Sequence, residues 1–457
     1  MVMLCYYIKI VELLDRREGL APSAEIRRIK MADFMKTNVG KGIDVISVPA
    51  SQFKTNEIAL SLAMPLRKET AALNAIVPML LCRSSKQYPS LTALNTKLAS
   101  LYGAALEPFV TKVGEVQLIK LGLTCVDDRF SLDGEKISKE CAELLLSLLF
   151  EPRLDENGCF YKEDIEREKR ILTEKLDSEE NEKRLYVLRK TEEAMFEGEP
   201  YAVNRYGSKE DVAAIDGAGV LSAWKKMLES AKVLLTVVGN ADTAEISDML
   251  KKRFADTKRR YSPLPESVFK PYVDSVKEIT ERIDVKQGKL VMGFRVDVKP
   301  NDELTPAMRS FADIFGGGPY SRLFTKVREE MSLCYYCSAR YVRQKSYIIV
   351  QCGCEEENMD KAVAQILAQL EEIKSGNFDY EFKSSKVSLT DAINSVYDAP
   401  ESLENWYLVQ TADSEFKSPK QSARENNAVT KRQIIECARL LSLDTVYRLV
   451  STGEGKS

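Results

Sequence analysis

Apolar and polar positions along the chain alternate in two different rhythms, and the switches between them mark out elements. Ile119, Leu121, Leu123 and Cys125 are separated by Lys120, Gly122 and Thr124, a period of two that predicts a strand. Ile137, Cys141, Leu144, Leu145, Leu148 and Leu149 then fall at helical spacing and predict one buried helix face. Ahead of these, Gly42–Leu66 reads as two extended segments, followed by helices over Glu69–Leu81 and Ser90–Leu101. A long charged helix starts near Asp164, and Val233–Gly239 is a buried strand that ends at a Gly239-Asn240 turn.

The order then repeats. Lys289–Val298 predicts a strand, Asp302–Phe315 and Tyr320–Met331 two helices, and Ser346–Cys354 a strand of a hairpin. Val363, Ile366, Leu367, Leu370 and Ile373 mark an amphipathic helix, Asp379–Asp413 parallels the long helical region, and Ser442–Val450 closes the set. Thr96-Lys97-Leu98 and Thr325-Lys326-Val327 lie 229 residues apart, and the strands beginning at Gly114 and Lys345 lie 231 apart. A repeat that long is a duplication, not a solenoid. Between the copies, residues 257–277 are rich in charge and carry Pro263, Pro265 and Pro271, which predicts a stiff linker. Helices beside hairpins point to an α+β class with mostly antiparallel sheets.

The chain has 457 residues, which suits two domains. Its 66 basic and 69 acidic residues leave a net charge of -3, so nucleic acid is not an expected partner. No stretch approaches the roughly 20 apolar residues that cross a bilayer, so no membrane is expected either. Residues 1–34 read as an N-terminal extension: Lys9, Glu12, Asp15, Arg16 and Arg17 break the apolar run Met3–Tyr7 before a secretory segment forms, and Met31 or Met35 could also begin the protein. Ten cysteines without a signal peptide suggest reduced thiols in a cytoplasm. The count of histidines is 0, which excludes Ser-His-Asp and Cys-His nucleophile systems, imidazole bases and histidine-containing zinc sites.

Three segments resemble the M16 (pitrilysin/insulinase-like) metallopeptidase family, over roughly residues 35–450. The first, from Phe315 through Gly316, Gly317, Gly318, Pro319, Tyr320 and Ser321 to Tyr335, is similar to the family's glycine turn and SxLFxxVRExxxLxY helix. The second, Glu166–Leu176, is similar to its ExEKxxxxxEI helix, and the third, Leu234–Asn240, to the strand closing its first unit. The resemblance implies two homologous units, each an antiparallel sheet flanked by helices: residues 35–256 of N-terminal type, a linker over 257–277, and residues 278–457 of C-terminal type.

Active members carry HxxEH on the first helix, where two imidazoles one turn apart hold zinc and the glutamate activates water. On that motif this sequence places Ala75-Ile76-Val77-Pro78-Met79, and at the third-ligand position Lys175, with Glu174 beside it. Ala75, Pro78, Met79 and Lys175 thus imply a degenerate zinc site, no catalytic residue and no metal of the family type. What the resemblance retains is substrate-binding: Arg328 and Tyr335 match the arginine and tyrosine that the second unit presents to peptide, with Tyr336 as runner-up. A guanidinium holds a carbonyl or carboxylate, and a phenol donates to an oxyanion. The plainer alternative pairs Arg328 with Glu329 or Glu330 and half-buries Tyr335 in a strand.

The variant motif also resembles an inactive subfamily, found in Firmicutes beside an active M16 gene and named for 5-aminopentanol modification of elongation factor P. The resemblance implies a heterodimer with an active HxxEH-bearing M16 chain that carries the zinc, and a peptide substrate. A scaffold that binds peptide without proteolysis is the rival reading.

Other signals are weaker. Cys334, Cys337, Cys352 and Cys354 form a CxxC then CxC pattern that invites zinc, but two strand residues three apart point oppositely, so buried free cysteines are the favoured reading. Gly316–Gly318 lacks the Lys-Ser/Thr of a phosphate loop and predicts a tight turn. Glu179 with Lys183 and Glu180 with Arg184 sit at i,i+4 on a solvated helix face.

Overall fold

The computed structural model describes residues 34–452. The predicted N-terminal extension, apart from Phe34, lies outside the described residues. The first half runs β1 (Met35–Gly40), β2 (Ile43–Pro49), β3 (Thr55–Pro65), α1 (Lys68–Leu81), α2 (Leu91–Ser100), β4 (Ala105–Val113), β5 (Val116–Val126), α3 (Ile137–Phe150), α4 (Lys162–Asn181), α5 (Lys183–Met195), α6 (Lys209–Ala213), α7 (Gly217–Ser230), β6 (Lys232–Gly239) and α8 (Thr243–Phe254). The second half runs β7 (Lys277–Ile283), β8 (Lys289–Val296), α9 (Thr305–Gly316), a π-helical segment (Leu323–Glu330), β9 (Tyr336–Val342), β10 (Tyr347–Gly353), α10 (Met359–Lys374), α11 (Asp379–Asn394), α12 (Pro400–Leu408), α13 (Pro419–Ala428), α14 (Lys431–Arg439) and β11 (Leu441–Ser451).

Both sheets share one topology. The first has the order β1-β2-β6-β3-β5-β4 and the second β7-β11-β8-β10-β9, so removing edge strand β1 leaves two matching five-strand orders. In each, the pairing next to the N-terminal edge is parallel (β2 with β6, β7 with β11), and the central strand pairs antiparallel on both sides. The α+β class with antiparallel-dominated sheets and two homologous units is therefore what the chain adopts.

Several elements carry no apolar rhythm and were not predicted. Strand β1 is mostly exposed and forms through its ladder with β2. The long helical regions each break once, for local reasons. Between α4 and α5, Glu182 leaves the helical region and its carboxylate caps the Arg184 amide, starting a new helix. Between α11 and α12, Pro400 bars the helical conformation at Ala399, which is extended.

Each sheet buries both faces, which is why the central strands are apolar along most of their length. One face of the first sheet (Ile58, Leu60, Leu62, Leu121, Leu123, Leu235) meets Ile76, Leu80, Leu145 and Leu148 of α1 and α3. The corresponding face of the second (Met292, Phe294, Ile348, Val350) meets Phe311, Phe315, Ile366 and Leu370 of α9 and α10. The opposite faces are covered by an exchange of helices: α5 of the first half packs on β8 and β11, and α12 of the second half packs on β3 and β6. Leu403 and Tyr407 meet Ile46, Val48, Leu234 and Val238, while Val187 and Met195 meet Val291, Ile349 and Leu449. Each such fully buried aliphatic or aromatic side chain contributes about 1.5–3 kcal/mol. Gly293 makes the approach possible, because a Cβ there would collide with the Met195 sulfur. The exchange ties the two halves into a single compact unit.

Charges are buried in the same seam. Lys345 in the β9–β10 hairpin reaches Glu115 in the β4–β5 hairpin at 2.5 Å and Glu199 at 2.7 Å, while Arg295 holds Asp444 at 2.8 Å. On the α12 side, the Lys120 ammonium lies 2.6 Å from Glu404.

Candidate functional site

Helix α1 carries the positions that the resemblance sets on the zinc motif. Ala75, Ile76, Val77, Pro78 and Met79 are all buried. Pro78 has no amide proton, so the helix loses one internal hydrogen bond there. The buried polar side chain on this face is Asn74, which sequence reasoning missed; an asparagine inside an apolar helical run was the available signal. Its amide donates to Gln117 Oε1 at 3.0 Å, and Gln117 in turn donates to the Ala71 and Arg205 carbonyls at 2.9 and 2.6 Å.

Helix α4 packs against α1 through Ile165, Glu168, Leu172 and Leu176. That phase turns Glu174 and Lys175 outward, and both are exposed. The Lys175 ammonium rests 5.7 Å from the centre of the Tyr206 ring. The carboxylate that does reach the α1 end is Glu168, and Arg83 takes it at 2.8 Å, with Asp164 a further 3.6 Å from the same guanidinium. These residues do not fit a zinc ion: the apolar positions offer no ligand, the amides are mutually satisfied, and the one buried carboxylate is neutralised.

Arg328 and Tyr335 are arranged differently. The segment expected as an ordinary helix over Tyr320–Met331 is a π-helix over Leu323–Glu330, closed by the Met331 amide to the Lys326 carbonyl at 3.2 Å. Such widened turns are rare and recur at functional sites. Arg328 lies against the Phe324 ring at 4.4 Å, donates through Nε to the Tyr335 carbonyl at 3.0 Å, and is 3.7 Å from Glu329. The rest of the guanidinium edge faces solvent. Tyr335 is 61% exposed, and not half-buried in a strand, because β9 begins only at Tyr336. Its hydroxyl donates to Glu355 at 3.1 Å, and that bond raises the phenol's pKa. Tyr336 is half-buried under the Arg184 guanidinium, 4.4 Å away.

The cysteines depart from their expected placement. A bend at Tyr335 separates Cys334 from β9, so the two residues do not alternate as strand neighbours, and the Cys334, Cys337 and Cys352 sulfurs all lie within 4.8 Å of one another. Cys337 and Cys352 are directly opposed on β9 and β10. Hydrogen bonds from Cys337 and Cys352, with help from Arg328, pull Cys334 down to about 4, and the bond to Cys334 pushes Cys337 well up.

Among the described residues no helix is long and apolar enough to cross a membrane. Residues 215–386 match the family described as "Peptidase M16 inactive domain". The chain is 29% identical over 418 residues to the "Probable inactive metalloprotease YmfF" of Bacillus subtilis (strain 168), covering 91% of this chain and 97% of that protein. Its fold is similar to a conserved protein from Enterococcus faecalis V583, with a TM-score of 0.85 at 26% identity over 93% of this chain and 100% of that one. A peptidase M16 inactive domain from Pseudomonas fluorescens superposes with a TM-score of 0.72 at 14% identity, over 93% of this chain and 100% of that one.

Proposed function

We propose, from its similarity to the inactive-domain family of M16 peptidases and from the lack of zinc ligands on α1, that the chain is the non-catalytic subunit of a two-chain peptidase. An active HxxEH-bearing M16 chain supplies zinc. This chain completes the chamber and presents Arg328 and Tyr335 to an unfolded peptide. One observation supports the reading above the others: a solvent-facing guanidinium at the end of a π-helical segment and an exposed phenol are linked by the Arg328 Nε bond to the Tyr335 carbonyl. A guanidinium so held grips a peptide carbonyl or terminal carboxylate with little further loss of side-chain freedom. The subfamily resemblance extends the proposal to a cytoplasmic complex concerned with maturation of modified elongation factor P.

The test is co-expression with the M16 chain encoded beside it. A stable complex that cleaves an unstructured peptide, with cleavage lowered about ten-fold or more by Arg328→Ala and by Tyr335→Phe, is the expected result. A pair that assembles but cuts nothing, while still binding peptide through the same residues, replaces the subunit reading with the scaffold reading. Normal cleavage by both variants removes the role of these residues altogether.

A further inference from the structure

We infer that Cys334, Cys337, Cys352 and Cys354 form a thiolate site for a zinc ion that pins the Tyr335 segment. The sulfurs of Cys334, Cys337 and Cys352 lie within 4.8 Å of one another. That is close to the sulfur–sulfur spacing of roughly 4 Å in a tetrahedral site with metal–sulfur bonds near 2.3 Å. The fourth thiol, Cys354, follows Cys352 by two residues, just past the end of β10, and is buried in the same core, where it can serve as the fourth ligand.

The backbone around the cluster is fixed independently of the thiols. Cys337 and Cys352 are held opposite by the β9–β10 ladder. The Tyr335 amide donates to the Gly353 carbonyl at 2.8 Å, and the Cys354 amide to the Gly288 carbonyl at 3.3 Å. Two ligands thus come from a knuckle around Tyr335 and two from the facing strand, with 14 residues between the pairs. Soft sulfur donors in tetrahedral reach select zinc over hard cations.

Binding replaces the thiol protons, which leave to solvent, and four thiolates on Zn2+ carry a charge of -2. Because Tyr335 lies between two ligands, the ion would hold the phenol's position. The site is distinct from the emptied α1 region and does not depend on a partner chain.

The experiment uses the full chain alone, purified with Zn2+ and freed of loose metal by gel filtration. Stoichiometric zinc by elemental analysis is expected. Exchange for Co2+ should give a thiolate-to-metal charge-transfer band with intense tetrahedral d–d bands. Cys337→Ser and Cys352→Ser should lower retained zinc about ten-fold or more, while Cys159→Ser, away from the cluster, leaves it unchanged. Should those variants not fold, Cys334→Ser, the least buried of the four, serves instead. Chelation should also speed amide exchange over residues 333–337. Substoichiometric zinc in the folded wild type, a cobalt spectrum without thiolate charge transfer, equal zinc in the cluster variants, or a Cys337–Cys352 disulfide in the purified chain would each overturn the assignment.

Discussion

Helix α1 and the segment 323–335 are the two places, one in each half, where the resemblance sets functional residues, yet their polar atoms have opposite fates. Around α1 the buried polar side chains are engaged: Asn74 with Gln117, Gln117 with two carbonyls, Glu168 with Arg83. Around Arg328 the guanidinium and phenol are turned outward and tied to each other through one backbone carbonyl. The difference teaches that the positions where the resemblance expects zinc ligands are not left as an open polar pocket. An empty polar pocket costs desolvation, so apolar side chains and self-satisfied amides fill it. Under the proposed function, the outward guanidinium and phenol keep hydrogen-bonding capacity for a peptide.

If this contrast is right, substitutions should split into those that damage folding and those that damage peptide handling. The largest loss of stability should come from Glu168→Ala, which leaves Arg83 without its main partner. A cost of about 3 kcal/mol in urea unfolding is expected, and one below about 1 kcal/mol would mean that apolar contacts alone hold α1 to α4. Asn74→Leu should cost about 2 kcal/mol by stranding the Gln117 amide oxygen, with peptide binding by the folded fraction unchanged.

A pH effect should follow from the exchanged helix. Burial, partly offset by Lys120, pushes Glu404 up to about 7 from an ordinary 4.5. The folded value lies above the unfolded one, so the stability from this group is full below pH 4.5 and is lost as pH rises through 7. Glu404→Gln should flatten stability across that window; an unchanged slope would assign it to other groups. The smallest effects on stability, under about 0.5 kcal/mol, should come from Arg328→Ala and Tyr335→Phe, whose losses should appear only in cleavage or peptide affinity. Thermal destabilisation by either would break the contrast.

Most of the architecture was legible because both sheets are buried on both faces, which writes long apolar runs into β3, β5, β6, β8 and β10. The duplication could be read from the drift of only two residues between matching segments. Strands β1 and β7, half or more exposed along their length, left no such trace. Nor could the exchange of α5 and α12 be read, since an amphipathic helix records that it is covered and not by which half of the chain. At the sites, the motif positions on α1 were legible through the resemblance alone. Asn74 with Gln117 was not, because a satisfied amide pair separated by 43 residues has no local pattern. The closeness of three of the thiols could not be read, because the bend at Tyr335 frees Cys334 from the alternation assumed for a continuous strand.

The contact between Glu115 and Lys345 bears on how the protein came to be. These residues sit in corresponding hairpins 230 positions apart, within the interval of the repeat, so each is the other's counterpart. In an ancestor built from two identical copies these counterparts would carry the same charge, glutamate against glutamate or lysine against lysine. Opposite charges there require the copies to differ. Two identical halves could not form this buried pair, so the contact itself depends on the copies having become different.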